Sequence, residues 1–91
     1  MNIVLKFDYY SPMVYVPDGY IKDISELQAH FFEWLHDKSE YFAQDKSGNL
    51  AFSYDENAVL KYINDVVLEH SNEKAYFISK PTKGDVYTIK F

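Results

Sequence analysis

Residues 23–37 read DISELQAHFFEWLHD. The stretch carries its own start signal. Asp23 is of a type that accepts from the free amides of a first helical turn, and Glu26, three residues on, completes a capping box. Ile24, Leu27, Phe31, Trp34 and Leu35 recur at helical spacing and form one apolar stripe. Glu26, His30, Glu33 and Asp37 fall on another face, at steps of four, three and four. The pattern predicts a helix over 23–37, buried along one side and acidic along another.

Working outward toward the start, Ile3, Leu5 and Phe7 alternate with Val4, Lys6 and Asp8, which predicts a strand over 2–8 with one buried face. Tyr9, Tyr10, Ser11 and Pro12 break it. Met13 to Val16 reads either as a short strand returning in a hairpin or as an extended connection. Pro17, Asp18 and Gly19 make a turn.

On the other side of the helix, 40–44 and 50–54 read as short strands. They are joined by Asp45-Lys46-Ser47-Gly48-Asn49, a hairpin signal. Asp55, or Ser53 with Glu56, caps a second helix that reaches Glu69. Its apolar arc is wide, with Ala58, Val59, Leu60, Tyr62, Ile63, Val66 and Val67. Leu68 is the one large apolar residue on its polar face. Strands are predicted over 75–79 and 86–91, the last with Tyr87, Ile89 and Phe91 on one side.

With 91 residues, a single α+β domain over 1–91 is expected. The order β-α-ββ-α-ββ suggests an antiparallel sheet of about five strands with two helices packed on one face. That order contains the βαββαβ sequence of the split βαβ, ferredoxin-like arrangement, plus one added strand. The likeness is architectural and implies no function. The opposite sheet face is expected to be open to water or to a partner. A weak internal repeat relates His36, Tyr41-Phe42 and Gly48 to His70, Tyr76-Phe77 and Gly84 at offsets of 34, 35 and 36. Chance accounts for it in a chain of this size.

Composition narrows the chemistry. The chain has nine Tyr, seven Phe and one Trp, large side chains that make a small core efficient. With no Cys, thiol chemistry and disulfides are excluded. No run approaches the roughly 20 apolar residues that span a bilayer, and MNIVLKFDYY lacks a cleavage pattern, so a cytoplasmic location is expected. Acidic residues outnumber basic ones by 14 to 9 for a formal charge of −5, and every basic residue is Lys. Arg is the preferred reader of phosphate and guanine, so its absence weighs against direct nucleic-acid binding.

Catalytic signals are poor. There is no GxGxxG or GxxxxGK[ST] phosphate loop, and no Ser sits in a nucleophile elbow or Ser-x-x-Lys setting. His36 and His70 fall in last helical turns, where an imidazole suits the helix dipole. No enzyme activity, cofactor or metal site is expected.

Two groups of residues remain as candidates for binding. The acidic row Glu26, His30, Glu33 and Asp37 has a solvated face as its simplest account. Such a row also offers spaced negative charge to a basic groove, whereas one helix does not supply a full metal coordination sphere. The second group is aromatic: Tyr9, Tyr10 and Tyr15 crowd one irregular stretch, and Phe32 lies off the main stripe of its helix. Rings of this kind serve equally as core filler or as interface anchors.

These features add up to an expectation of function. The chain reads as a small acidic protein–protein binding module, an inhibitor or adaptor that covers a basic, nucleic-acid-handling surface of a larger protein. Small acidic proteins made by phages and mobile elements against host defences work in this style. One alternative is a structural or assembly subunit acting as a homodimer through its open sheet face or an edge strand. A second is a single-stranded nucleic-acid binder, for which Tyr76-Phe77 on a strand would supply stacking.

Overall fold

The computed structural model describes residues 1–44 and 46–91, with the side chains of Ser39, Leu50 and Phe52 outside the description. Asp45, the first residue of the expected hairpin loop, therefore lies outside the described residues. In chain order the elements are β1 (Asn2–Lys6), β2 (Met13–Tyr15), α1 (Leu27–His36), β3 (Phe42–Gln44), β4 (Leu50–Phe52), α2 (Glu56–Tyr62), β5 (Tyr76–Ile78) and β6 (Val86–Lys90). A turn of 3₁₀ helix, Ile24–Glu26, leads into α1, and another, Ser39–Tyr41, leads into β3.

The expected α+β class holds, but the sheet differs from the antiparallel five strands expected. The main sheet has four strands in the order β5-β2-β1-β6. β2 pairs antiparallel with both β1 and β5, whereas β6 lies parallel to β1. β3 and β4 form a separate two-stranded antiparallel hairpin. The reason is local. Met13–Tyr15 folds back on β1 and takes one side of it, and β6 takes the other. β3 is short, and Phe42, Ala43 and Gln44 are all exposed.

The predicted first helix forms with its buried stripe, but its first turn, Ile24–Glu26, is 3₁₀ helix, α-helix runs only over Leu27–His36, and Asp23 bonds Ser25 in place of the expected capping box with Glu26. Asp23 accepts from the Ser25 amide at 3.0 Å and from its hydroxyl at 2.5 Å. Hydrogen bonding to Ser25 holds the Asp23 carboxyl below the usual range. Leu27, Phe31 and Leu35 are buried, and Ile24 and Trp34 pack at the edge of the core. They meet Ile3, Leu5, Val14, Val16 and Ile89 from one face of the sheet. Phe31 lies at the centre, its ring against those of Phe32, Trp34, Tyr54, Tyr62 and Phe91 at centroid distances of 5.3–6.0 Å.

The second helix departs from its expected course. Asp55 caps it, accepting from the Asn57 amide at 3.0 Å. After Tyr62 it widens into a π turn over Ile63–Val67, closed by the Leu68 amide donating to the Ile63 carbonyl at 2.8 Å. The extra residue delays all later side chains by about 100°, one residue of a 3.6-residue turn. Leu68 swings from the polar face into the core and is 0% exposed, whereas Val66 is turned outward at 43%. Asn64 then reaches across the turn. It accepts from the Ala75 amide at 2.8 Å and donates to the Ala75 carbonyl at 3.2 Å, fixing the approach to β5.

The sheet face away from the helices is partly covered by the chain itself. β5 and β6 lie at opposite edges but run in the same direction, so residues 79–85 must cross the sheet to join them. They pass on the side of Asn2, which points away from the core neighbours Ile3 and Leu5. Asn2 is 0% exposed. Its carbonyl oxygen accepts from the amide and hydroxyl of Thr82 at 2.9 and 2.8 Å, and its amide donates to the carbonyls of Thr82 and Asp85 at 3.0 and 3.2 Å. The side-chain amide thus has a partner for both lone pairs and both protons. Val4, Met13, Tyr15 and Ile78, on the same face, are half-buried.

This topology also dissolves the internal repeat. β3 and β4 pair with each other, whereas β5 and β6 lie at opposite edges of the main sheet.

Candidate interaction surface

The acidic row stays outside. Glu26, His30, Glu33 and Asp37 are all exposed, on the side of α1 away from Leu27, Phe31 and Leu35. The structure divides the row into two settings. Glu26 and His30 rim a shallow groove of about 260 Å³ between α1 and the segment that precedes it, with Tyr20, Lys22 and Val67 opposite. Asp37 closes the last turn, its amide donating to the Trp34 and Leu35 carbonyls. Glu33 lies toward Tyr62, in a second acidic setting that the sequence spacing does not reveal.

That setting surrounds Trp34 and Tyr41. Their rings lie 6.0 Å apart, and Trp34 also meets Tyr62 at 5.5 Å. Both Trp34 and Tyr41 are half-buried, so each keeps part of its ring toward water. Burial raises the Tyr62 hydroxyl above its ordinary range, and the Glu33 carboxylate adds to the rise. Burial likewise raises Tyr41, with Glu40, Asp55 and Asp65 pushing the same way and Lys61 opposing. Glu40, Asp55 and Asp65 thus act on Tyr41 and Glu33 on Tyr62, two rings that both meet Trp34, and two lysines lie beside them. Lys61 bonds Asp65 at 3.2 Å, and Lys38 lies 5.4 Å over the Trp34 ring. These acids come from α1, the turn before β3, the cap of α2 and its π turn. Only packing of α2 beside α1 unites them, which is why no spacing in the sequence betrays the set.

The aromatic candidates do not gather into one patch. Tyr9 stands 97% exposed at the tip of the β1–β2 connection. Tyr10 folds back and stacks on Phe7 at 4.9 Å with the rings 9° from parallel, and hydrogen bonding to Glu56 raises its hydroxyl. Tyr15 lies on the far face of the sheet, 5.4 Å from Tyr76. Phe32 is engaged inside, at 5.3 Å from Phe31 and 5.7 Å from Tyr54. Phe32 thus packs at the edge of the core, Tyr10 stacks on Phe7 while staying 45% exposed, Tyr9 stands out at a tip, and Tyr15 belongs to another surface. The sequence grouped them by proximity along the chain, but β1 and β2 send them to different faces.

Among the described residues no cluster of three or more His, Asp or Glu side chains is placed to hold a metal ion. No helix among them is long and apolar enough to cross a membrane. No known protein family, curated protein or solved structure matches this chain. Its reading therefore rests on its own geometry.

Proposed function

We propose that the protein is a small binding module that meets the basic surface of a larger protein through the acidic side of its helix layer. The observation that carries this reading is the contiguous ring group of Trp34, Tyr41 and Tyr62, with Trp34 and Tyr41 half-exposed, in an acidic setting in which Glu40, Asp55 and Asp65 act on Tyr41 and Glu33 acts on Tyr62. Charge of one sign steers encounter, and a rigid Trp/Tyr pair is the type of anchor that dominates interface energetics. Glu26, His30 and Asp37 extend the charge along α1. A basic surface that handles nucleic acid is the partner such a field suits, and covering it would make the module an inhibitor or adaptor acting in the cytoplasm. This is the mode of small anti-defence proteins of phages and mobile elements. The module needs no cofactor and no catalytic group for this role.

The test has two steps. A tagged copy is used to capture partners from a nuclease-treated lysate, and the recovered partner is then purified and titrated against the wild-type protein and two variants. Glu33→Lys with Asp65→Lys reverses the field, and Trp34→Ala removes the anchor. Affinity should fall about 30-fold or more for each, since an anchor or a steering pair is worth about 2–4 kcal/mol. Raising the salt should weaken the wild-type complex. A partner held equally well by both variants would show that the acidic side is only solvated surface.

A second reading has an observation of its own. β6 is an edge strand five residues long, with Val86 exposed at its start. Gln28 of α1 donates to the Lys90 carbonyl and so blunts one end of that edge. A homodimer paired through β6 would appear as a concentration-dependent mass in sedimentation, abolished by Thr88→Pro.

A further inference from the structure

The crossover that covers the far face of the sheet also builds a groove there. It measures about 580 Å³, within the range of small-molecule sites. Tyr15 and Tyr76 form its floor, their rings 5.4 Å apart, with Tyr76 52% exposed. Lys74 enters from the connection before β5, and Thr82 and Lys83 from the crossover. Neither lysine is in an ion pair among the described residues, although acidic groups outnumber basic ones in the chain. The Thr82 wall is fixed, because its amide, hydroxyl and carbonyl all bond the buried Asn2. A Glu73 carboxylate lines the groove beside the lysines.

The geometry points to a binding site for a small ligand built like a nucleoside monophosphate: a flat ring, an anionic group and hydroxyl or amino donors. Each part answers a feature of the groove. The ring stacks on the more exposed Tyr76, as bases stack on exposed aromatic side chains, with Tyr15, tilted 41° to it, at the edge. The phosphate sits between the Lys74 and Lys83 ammonium groups, which act as point charges and set no bidentate geometry. Glu73 accepts from a ribose hydroxyl or an exocyclic amine. A bare anion leaves that carboxylate facing like charge and the ring floor empty, so it is the poorer occupant. The groove is distinct from the acidic side of the helix layer, which lies across the sheet, and it does not depend on the protein partner proposed above.

The experiment is an amide-proton NMR titration of the full chain with uridine monophosphate, adenosine monophosphate, uridine and inorganic phosphate. Saturable shifts are expected at Tyr15, Lys74, Tyr76 and Thr82, with a Kd at or below about 1 mM for a monophosphate. Uridine and inorganic phosphate should each bind about tenfold or more weakly, since each retains only one half of the recognition. Lys74→Gln with Lys83→Gln should weaken the monophosphates by about tenfold or more while the thermal unfolding midpoint stays put, because both side chains are exposed and unpaired. Tyr76→Leu should weaken nucleotide but not phosphate. The proposal is overturned by the absence of saturable shifts, by phosphate binding as well as the monophosphates, or by the double lysine variant binding like wild type. An oligonucleotide whose shifts spread beyond the groove while monophosphates give none would also overturn it, in favour of strand binding.

Discussion

On the helix side of the main sheet, Ile3, Leu5, Val14 and Val16 meet Phe31, Leu35, Ile63 and Leu68, all fully buried. On the crossover side a single buried amide, Asn2, holds residues 79–85 in place. The same strand, β1, serves both sides through alternate residues. One side gains from non-directional removal of apolar surface, and the other from four directed hydrogen bonds. The electrostatics divide in the same way: Glu33, Glu40, Asp55 and Asp65 lie with the helices, and Lys74 and Lys83 with the crossover. The comparison teaches that apolar packing on one face leaves the other free to carry polar architecture, provided every buried polar group there is matched.

The helix side should break hardest. Phe31→Ala removes a ring that touches five others, and a loss of about 3–5 kcal/mol is expected in urea unfolding. If that side is instead loosely packed, the loss will be under half of this.

Next comes the π turn. Leu68→Ala should cost about 2–5 kcal/mol, whereas Val66→Ala should stay within about 0.5 kcal/mol. A regular helix through 63–69 reverses the two, so the pair of variants decides between the geometries.

The crossover side is expected to be third. Asn2→Ala leaves the Thr82 amide and carbonyl without partners, at a cost of about 1–3 kcal/mol. The sharper readout is local. Hydrogen exchange at the Thr82 amide should accelerate while that of Phe31 and Leu35 follows only the global loss. Equal acceleration everywhere would mean that the two faces do not behave separately.

The smallest effect concerns alkaline pH. Burial raises the hydroxyls of Tyr54 and Tyr62 on the helix side above their ordinary 10.0. The native state resists their ionisation, so their contribution is complete below pH 10.0 and is lost as pH rises through the folded values. Urea midpoints should be flat on the alkaline side of neutrality and fall only above that point, in step with tyrosinate absorbance. A decline beginning well below it would assign the loss to other groups.

Much of this was legible in the sequence. Local signals were strong where a residue's own neighbours decide its state. Asp23 and Asp55 marked both helix starts, and the Ile24, Leu27, Phe31, Leu35 spacing chose the buried face of α1. The alternation in 2–8 placed Ile3 and Leu5 correctly in the core. The exposure of Glu26, His30, Glu33 and Asp37 was also legible, because residues off the buried stripe face water, whereas their division into two settings was not.

Three things were beyond the reach of local pattern. The first is the π turn, because its benefit, burying Leu68, exists only once the sheet is there to receive it. The second is sheet order. Which edge a strand joins depends on which edges are already filled, and β3 and β4 pair with each other instead. The third is the gathering of Glu33 with Glu40, Asp55 and Asp65, and of Tyr15 with Tyr76 and Lys83.

The sequence by itself determined where the helices start, the buried stripe of α1 and the sign of the charge, since those follow from spacing and composition along a few turns of chain. Only the tertiary structure decided the parallel β6, the crossover fixed by Asn2 and the two surfaces on opposite faces of the sheet. Contacts between residues 80 positions apart, such as Asn2 with Thr82, carry no periodic trace. They are set by how the whole chain closes on one core.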